Sequence, residues 1–224
     1  ASEINNAHHV LTKPDHPYTA ILGGSKVSDK IQLIRSLMQK ADNILIGGGM
    51  TYTFLKAKGY NIGNSMVEED KIDLAASLIE EASQNHVKLY LPDDSIATTS
   101  IDQDSKKQAT ENTNIPDDLM GGDIGPKTIE KYTGIVKDSE TIFWNGPMGV
   151  FEVEGLDEGT HRVALAVCDA TQMGAYSLIG GGDTATAFDK FNLSNQASFI
   201  STGGGALLTY LAGEKLPAIE ALEN

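Results

Sequence analysis

Two lysines and one aspartate follow glycine-rich turns, where they could bind a phosphorylated ligand. Lys26 and Lys30 come after Gly23-Gly24, and their spacing of four predicts that both ammonium groups lie on one face of an opening helix. Asp183 ends the glycine run 180–182, and a carboxylate there could cap a helix or hold Mg²⁺ beside phosphate oxygens. Ordinary surface lysines and a plain helix cap are the alternatives, and spacing alone does not separate them from a phosphate site.

Glu152 is a further acidic residue at a position that suggests ligand binding. It follows the loop 145–151, which contains glycine and proline and comes directly after an apolar run. A carboxylate there could accept hydrogen bonds from ribose hydroxyls. It could equally be a solvated residue of a generic acidic surface, since Asp157 and Glu158 are close in sequence.

These side chains belong to a wider pattern, in which a short apolar run breaks five times into glycines and then into a helical pattern. Such a turn leaves backbone N–H groups at the helix start unpaired, and they can bind anions. Five turns together predict a sheet edge lined with exposed amides, which could hold a phosphorylated ligand with few cations. For any single turn the alternative is close packing of helix on strand. The turns lie at 23–24, 47–49, 145–147, 180–183 and 203–205.

The elements that position these turns alternate between strand and helix signals. This alternation predicts an α/β fold: a doubly wound, mainly parallel six-stranded sheet with helices on both faces, a Rossmann-like three-layer sandwich. Ligands bind at the carboxyl ends of the strands in such sheets. Segment 92–122 interrupts the rhythm and is interpreted as a small hairpin or a long loop. Strand signals cover 18–22, 43–46, 88–91, 141–144, 175–179 and 198–201.

Helical patterns occupy the segments between these strands. The clearest runs from about 66 to 84, where Ser65 and Glu68 predict a capping box. Another starts near Val27, and any helix begun near Glu3 must end before Pro14. The remaining helical patterns lie at 126–135, 159–172, 184–191 and 205–212.

Composition narrows the possible partners and the compartment. Seventeen lysines and arginines against 31 aspartates and glutamates give a formal charge of −14, which argues against nucleic acid and anionic membranes. Cys168 is the only cysteine and lies in an apolar stretch, which predicts a buried, inert thiol and no internal disulfide. No apolar run approaches the roughly 18 residues of a membrane span, and no signal-peptide pattern opens the chain. A cytoplasmic protein is therefore expected.

Several familiar catalytic motifs are missing. The glycine turns match neither the Walker motif of nucleoside triphosphatases nor the G-x-G-x-x-G dinucleotide fingerprint. Five histidines without an H-E-x-x-H pattern, and a single cysteine, argue against a zinc site. The G-x-S-x-G turn of serine hydrolases is also missing.

In their order and spacing, the glycine motifs resemble the carboxy-terminal half of the phosphoglycerate kinase family. The likeness covers the chain from about residue 18 to its end, and W-N-G-P together with G-G-G-D-T is highly specific. Ser25 stands where the family often has alanine, and Met148 where valine is frequent. The matching segments are L-G-G-S-K-V-S-D-K at 22–30, G-G-G-M at 47–50, W-N-G-P-M-G-V-F-E at 144–152, G-G-G-D-T-A-T at 180–186 and S-T-G-G-G-A at 201–206.

This resemblance implies that the chain binds Mg-ADP or Mg-ATP. Adenine would lie between 23–25 and 47–49, Glu152 would accept the ribose hydroxyls, and Asp183 would hold Mg²⁺. The implied catalytic residues, which meet the phosphoryl group in transfer, are Lys26, Gly182 and Gly205, with the Gly203 and Gly204 amides beside them. The implied nucleotide-binding residues are Gly24, Ser25, Lys26, Lys30, Gly48, Gly49, Met66, Gly121, Asn145, Pro147, Val150, Glu152, Gly181, Gly182, Asp183 and Thr184.

The resemblance also implies a partner domain. The family's amino-terminal half, which has no counterpart in this sequence, binds 3-phosphoglycerate and supplies an arginine for the transfer. The implied glycolytic reaction moves a phosphoryl group between 1,3-bisphosphoglycerate and ADP, so it is a phosphotransferase step with a carboxyl group as acceptor. Neither Arg35 nor Arg162 follows a glycine turn, so the hypothesis is that the isolated chain binds nucleotide but transfers phosphate negligibly.

The domain boundaries follow from the same resemblance. Residues 1–17 are interpreted as a remnant of an interdomain helix or linker, 18–212 as the nucleotide-binding domain, and 213–224 as a segment near the domain junction. The chain is expected to be a monomer. Two alternatives stay open, namely a non-enzymatic nucleotide-binding module and the NAD-binding half of a dehydrogenase.

Overall fold

The computed structural model describes residues 2–202 and 204–213. Outside these ranges lie Ala1, Gly203 and residues 214–224. The expectation for the Gly203 amide, and nearly all of the expectation for the C-terminal segment 213–224, therefore falls outside the described residues. None of the helices in the described ranges has the length and apolar character that a membrane crossing requires.

The described part of the chain contains nine strands and eight α-helices, which alternate except where two helices follow one another between residues 51 and 84 and where four strands follow one another between residues 88 and 124. The strands are β1 Tyr18–Leu22, β2 Asn43–Ile46, β3 Lys88–Tyr90, β4 Asp94–Thr98, β5 Lys107–Glu111, β6 Met120–Ile124, β7 Thr141–Asn145, β8 Tyr176–Gly180 and β9 Phe199–Ser201. The helices are α1 Ser2–Thr12, α2 Ile31–Leu37, α3 Thr51–Ala57, α4 Ile72–Gln84, α5 Pro126–Lys137, α6 Glu158–Gln172, α7 Gly182–Lys190 and α8 Gly204–Leu211. Short 3₁₀ turns at Val27–Asp29 and Glu69–Lys71 precede α2 and α4.

Six of the strands form a central parallel sheet in the order β3-β2-β1-β7-β8-β9. Counted among these six alone, the order is 3-2-1-4-5-6, the doubly wound arrangement whose winding reverses between β1 and β7. Helices α1 to α4 and α8 pack on one face, and α5 to α7 pack on the other. The predicted doubly wound, parallel six-stranded sheet with helices on both faces is therefore confirmed.

Two hydrophobic cores lie on the two faces of this sheet. Successive side chains of a strand point to opposite faces, so Leu22 and Phe143 enter one core while Ile21 and Trp144 enter the other. Because helices cover both faces of the central sheet, its strands are continuous apolar runs in the sequence. Cys168 is buried in the second core, which confirms the expected buried thiol, and burial raises the pKa of this thiol to about 11.

Segment 92–122 forms a second, antiparallel sheet in the order β5-β4-β6. The predicted hairpin is confirmed by β4 and β5, whereas the long-loop alternative is wrong. Strand β6 was not predicted, because the glycines Gly121 and Gly122 weaken its strand signal. Apolar residues of α3, of the loop after it and of this segment form a small third core, made of Tyr52, Leu55, Ile62, Ala97, Ile115 and Leu119.

The predicted capping box before α4 is wrong, and this helix begins at Ile72 rather than near residue 66. The Ser65 hydroxyl accepts a hydrogen bond from the Gly121 N–H at 2.9 Å instead. The Glu68 carboxylate accepts from the Ser28 N–H at 3.2 Å and from its hydroxyl at 2.6 Å. Both side chains connect separate parts of the chain, so tertiary contacts replace the local cap.

Helix α3 follows the glycine turn at 47–49, where the pattern predicted a helix without giving its bounds. Its sequence, T-Y-T-F-L-K-A, is rich in β-branched and aromatic residues, which are weak helix formers. Most of its side chains are nevertheless buried between the sheets, and that packing decides its conformation. Tertiary burial therefore overrides local propensity at this helix.

Asp94 connects the second sheet to α5 and replaces a local cap of that helix. Gly125 occupies the N-cap position and has no side chain to satisfy the first amides. The buried Asp94 carboxylate accepts hydrogen bonds from the N–H groups of Lys127 and Thr128, each at 3.0 Å, and from the Thr128 hydroxyl at 2.7 Å. One strand of the small sheet thus fixes the start of a helix that packs on the central sheet.

We expect Asp94→Ala to lower the free energy of unfolding by roughly 2–4 kcal/mol, because it removes a helix cap and leaves buried amides unpaired. The neighbouring Asp93→Ala is the matched control. Asp93 makes an exposed ion pair with Lys131, so its loss should cost less than about 1 kcal/mol. Urea unfolding followed by circular dichroism measures both, and equal losses would contradict the capping role.

Candidate functional site

The glycine turns after β1, β2, β7 and β8 meet at the carboxyl edge of the central sheet, next to the point where its winding reverses. The Gly23 N–H donates to the Asn145 carbonyl at 2.9 Å, and the Gly47 N–H donates to the Leu22 carbonyl at 2.9 Å. A Cβ at Gly23 would lie 1.9 Å from the Pro147 carbonyl oxygen, so only glycine permits this approach. The edge is therefore built from closely packed backbone.

An apolar cleft of about 290 Å³ opens at this edge, on the side of the second sheet. Met66 and Ile101 are 56% and 40% exposed at its walls and offer apolar surface to a ligand. The Glu152 carboxylate is exposed and also lines it. The predicted residues that it brings together are Gly24, Ser25, Gly48, Gly49, Met66, Gly121, Pro147, Val150, Glu152 and Asp183.

A second, polar cleft of about 340 Å³ adjoins the apolar one. Gly24, Ser25, Pro147 and Asp183 line both clefts, so the two form one continuous groove. The predicted residues that line the polar end are Gly24, Ser25, Lys26, Lys30, Asn145, Pro147, Gly181, Gly182, Asp183 and Thr184. Predicted Gly205, in the first turn of α8, is not among the described residues that line either cleft.

Lys30 is held at the polar end of the groove by Asn145. The buried Asn145 amide donates from Nδ2 to the Gly180 carbonyl at 2.7 Å, and its Oδ1 accepts from the Lys30 ammonium. Desolvation lowers the Lys30 pKa to about 8, against the opposing effect of the Asp29 and Asp183 carboxylates. Both ends of the Asn145 amide are occupied, so this residue orients Lys30.

The prediction that Lys26 and Lys30 share one face of an α-helix is wrong. Lys26 has an extended backbone, with φ −127° and ψ 126°, and only a short 3₁₀ turn separates it from Lys30. The first glycine turn leads into this 3₁₀ segment before α2 begins. Both lysines nevertheless line the polar cleft, because the turn itself faces it.

Helix α7 begins at the polar end of the groove. Gly181 occupies the N-cap position with φ 103°, a conformation that favours glycine, so Asp183 lies within the first turn and is not the N-cap residue. The buried Thr184 hydroxyl accepts a hydrogen bond from the Gly146 N–H at 2.8 Å and fixes the preceding loop. The Asp183 carboxylate is exposed between the two clefts.

The donor set at Asp183 suits Mg²⁺ that is shared with a phosphorylated ligand. The described ranges contain no group of three or more His, Cys, Asp or Glu side chains that could hold a metal. Mg²⁺ usually takes one or two carboxylates and completes its shell with water and phosphate oxygens. One exposed carboxylate beside the α7 N-terminus fits that requirement.

Several lining residues were missed by sequence reasoning, of which Tyr52 and Asp123 are the most informative. Tyr52 lies on α3, whose bounds were not predicted, and Asp123 lies on the unpredicted β6. The buried Asp123 carboxylate accepts from the N–H groups of Ile124 and Gly159, each at 2.8 Å. Burial raises the Asp123 pKa well above its usual range. The other missed residues are Ile101, Met120, Gly122, Gly146, Met148, Gly149, Asp29 and Leu208.

Comparison with known proteins assigns the chain to a family. The family model for phosphoglycerate kinase matches residues 1–214. A curated phosphoglycerate kinase of Chlorobium phaeobacteroides is 46% identical over 222 residues, which are 99% of this chain and 56% of the relative. That of Clostridium kluyveri is 48% identical over 222 residues, which cover 99% and 55%. The chain thus spans about half the length of the curated relatives it matches.

Solved structures agree with this result. The phosphoglycerate kinase from Coxiella burnetii superposes with a TM-score of 0.95 at 43% identity, covering 99% of this chain and 56% of that one. The enzyme from Pyrococcus horikoshii gives a TM-score of 0.82 at 30% identity, with 99% and 55% covered. The described fold is therefore that of one part of these longer proteins.

Lys30 should make anion binding in the polar cleft depend on pH. The protonated ammonium attracts the anion, so the affinity for the anion is highest below the Lys30 pKa of about 8. Above it, we expect the affinity for tripolyphosphate to fall by up to about tenfold per pH unit until the raised pKa of the complex is reached. Calorimetric titrations between pH 7 and 9.5 measure this dependence.

Lys30→Arg is the matched control, because its guanidinium stays charged throughout and the titration of tripolyphosphate itself affects both proteins equally. The ratio of wild-type to Lys30→Arg affinity should fall across this pH range. A constant ratio would show that Lys30 does not contact the anion.

Proposed function

The chain belongs to the phosphoglycerate kinase family, and from this premise we propose that it is the part of such an enzyme that binds Mg-ADP or Mg-ATP. The observation that carries the proposal is the continuous groove, whose apolar end suits a purine and whose polar end suits phosphates. Backbone amides, one partly buried ammonium and one exposed carboxylate are the groups that a magnesium nucleotide requires.

The proposed pose follows the groove from its apolar to its polar end. Adenine lies between the glycine turns at 23–25 and 47–49, against the apolar walls, and Glu152 accepts the ribose hydroxyls. The phosphates extend towards the amides at the start of α7, with Asp183 as the Mg²⁺ ligand. The residues proposed to contact the base are Gly24, Ser25, Gly48, Gly49, Met66, Gly121, Pro147 and Val150, and those for the phosphates are Lys26, Lys30, Gly181, Gly182 and Thr184, with Asn145 orienting Lys30.

The proposed reaction of the whole enzyme is phosphoryl transfer between 1,3-bisphosphoglycerate and ADP. Catalysis of such transfers depends on positioning and on neutralising the charge of the transferring oxygens. In this chain Lys26 is exposed and lines the polar cleft, where its ammonium can meet the transferring group together with the Gly182 amide. Bound Mg²⁺ would neutralise phosphate charge. No general base is required, since a carboxylate acceptor has no proton to lose.

The acceptor would come from the amino-terminal half that the longer relatives contain. The two ends of the described chain lie together, which supports a junction there. The His8 ring on α1 contacts the Tyr210 hydroxyl on α8 at 3.3 Å. We therefore propose that residues 1–17 and the segment from 213 onward flank the domain junction around the domain 18–212, in a cytoplasmic monomer.

Calorimetric titration with ADP, with and without Mg²⁺, tests the binding proposal. We expect Mg²⁺ to raise the affinity of the wild-type chain for ADP. In Asp183→Asn the gain in affinity from Mg²⁺ should be smaller by about tenfold or more, because the substitution removes a carboxylate–cation attraction of about 1.4 kcal/mol or more. Asp189→Asn is the control, since it makes the same change at the far end of α7. NAD serves as a control ligand for the dehydrogenase alternative. Equal behaviour of the two variants would refute the metal role.

A coupled assay of ATP formation tests the proposed division of labour. We expect the chain alone to turn over at least about 10³-fold more slowly than a mixture with the complementary amino-terminal half of a relative, because the transferring charge lacks an arginine. The mixture with bovine serum albumin in place of that half is the control. Full turnover by the chain alone would contradict the proposal, and nucleotide binding without any recovery would favour a non-enzymatic module.

A further inference from the structure

The loop between β4 and β5 contacts the backbone beside Glu152 through the Gln103 side chain. Its Nε2 donates to the Glu152 carbonyl at 3.2 Å, and its Oε1 accepts from the Glu154 N–H at 2.9 Å. One amide therefore pairs with a donor and an acceptor on either side of Val153, as a neighbouring strand would. This contact fixes the local direction of the chain that carries Glu152.

Gln103 is itself held in place by its own loop. The Asp102 carboxylate accepts from the N–H groups of Asp104 at 3.0 Å and Ser105 at 2.7 Å. The Lys107 ammonium donates to the carbonyls of Asp102 at 2.8 Å and Gln103 at 3.0 Å. A side chain presented by such a loop loses little further freedom when it pairs with another segment.

The other side of Glu152 is fixed from a different element. The Phe151 carbonyl accepts from the Lys190 ammonium at the end of α7, and the Val153 N–H donates to the Val150 carbonyl at 3.0 Å. The carbonyls of Phe151 and Glu152 are thus both engaged by side chains from outside the loop. The Glu152 side chain remains exposed and faces the apolar cleft.

We propose that Gln103 is a positioning residue for ribose recognition: it holds the backbone at the orientation from which the Glu152 carboxylate reaches the ribose hydroxyls. The inference rests on the proposed function, because that role of Glu152 is part of it. The physical reason is that two adjacent hydroxyls bind a carboxylate well only when its direction is fixed, and a free loop would lose entropy on binding.

The test compares the 224-residue chain with Gln103→Ala and with Gln108→Ala. Gln108 is exposed on β5 of the same sheet and provides the same substitution away from Glu152. Calorimetry gives the affinities for Mg-ADP and for Mg-2′,3′-dideoxy-ADP, whose ratio measures ribose recognition. Tripolyphosphate affinity reports the phosphate end separately, and thermal unfolding reports folding.

We expect Gln103→Ala to reduce the ADP to dideoxy-ADP affinity ratio by about threefold to tenfold, the range of one or two lost hydrogen bonds. Tripolyphosphate affinity should not change, and Gln108→Ala should keep the wild-type ratio. In a Glu152→Ala background, Gln103→Ala should have no further effect on the ratio, because both residues act on the same hydroxyls.

Two contrary outcomes are distinguishable. If the wild-type chain discriminates between the two nucleotides and Gln103→Ala does so equally well, the positioning role is wrong while the proposed function stands. If the wild-type chain does not discriminate, the proposed ribose role of Glu152 fails, and the inference fails with it.

Gln103→Glu is the second variant should Gln103→Ala be destabilised. It keeps the side-chain size but cannot donate to the Glu152 carbonyl, so it should lower the ratio as well, and an unchanged ratio would overturn the inference.

Discussion

Close backbone packing at the winding reversal of the sheet is the constraint on which the rest of this groove depends. The backbone at Gly23 lies against Gly146 and Pro147, and that at Gly48 lies against Gly24, at distances that leave no room for a Cβ. This packing brings four strand ends together and pairs the N–H groups of Gly23, Gly47 and Gly146 within the edge, so the amides at the start of α7 are the ones left for an anion. A protein with a formal charge of −14 can then offer an anion site without a cluster of cations.

The electrostatics of the groove follow from that backbone arrangement. Lys30 is a desolvated ammonium at the polar end, and desolvation lowers its pKa to about 8, so its charged form is less favoured than that of a lysine in water before a ligand arrives. Asn145 compensates part of this cost by accepting from the ammonium while its Nδ2 binds the end of β8. An anion would restore the lost solvation, so the same desolvation that destabilises the free site strengthens its response to phosphate.

How much of this could be foreseen depends on how local the signal is. The parallel sheet and its glycine turns were predictable, because an apolar run such as that of β7 and the glycines that follow it are adjacent in the sequence. Tertiary contacts were not predictable in this way. Glu68 binds Ser28 instead of capping α4, and Asp94 on β4 caps α5. Helix α3 is helical because its side chains are buried. Sequence analysis missed Tyr52 and Asp123 as site residues for the same reason.

The loop 145–157 links the two ends of the groove, and its anchors explain why the site needs the whole domain. Thr184 on α7 holds Gly146, and Thr160 on α6 accepts from the Met148 N–H at 3.1 Å. The Gly122 carbonyl on β6 accepts from the Val150 N–H at 2.9 Å. Since these anchors come from the second sheet and from two helices, a displacement of any one would move both the base walls and the phosphate amides. The second sheet is therefore a structural part of the site, even though the strand order of the central sheet alone would place a ligand at the same edge.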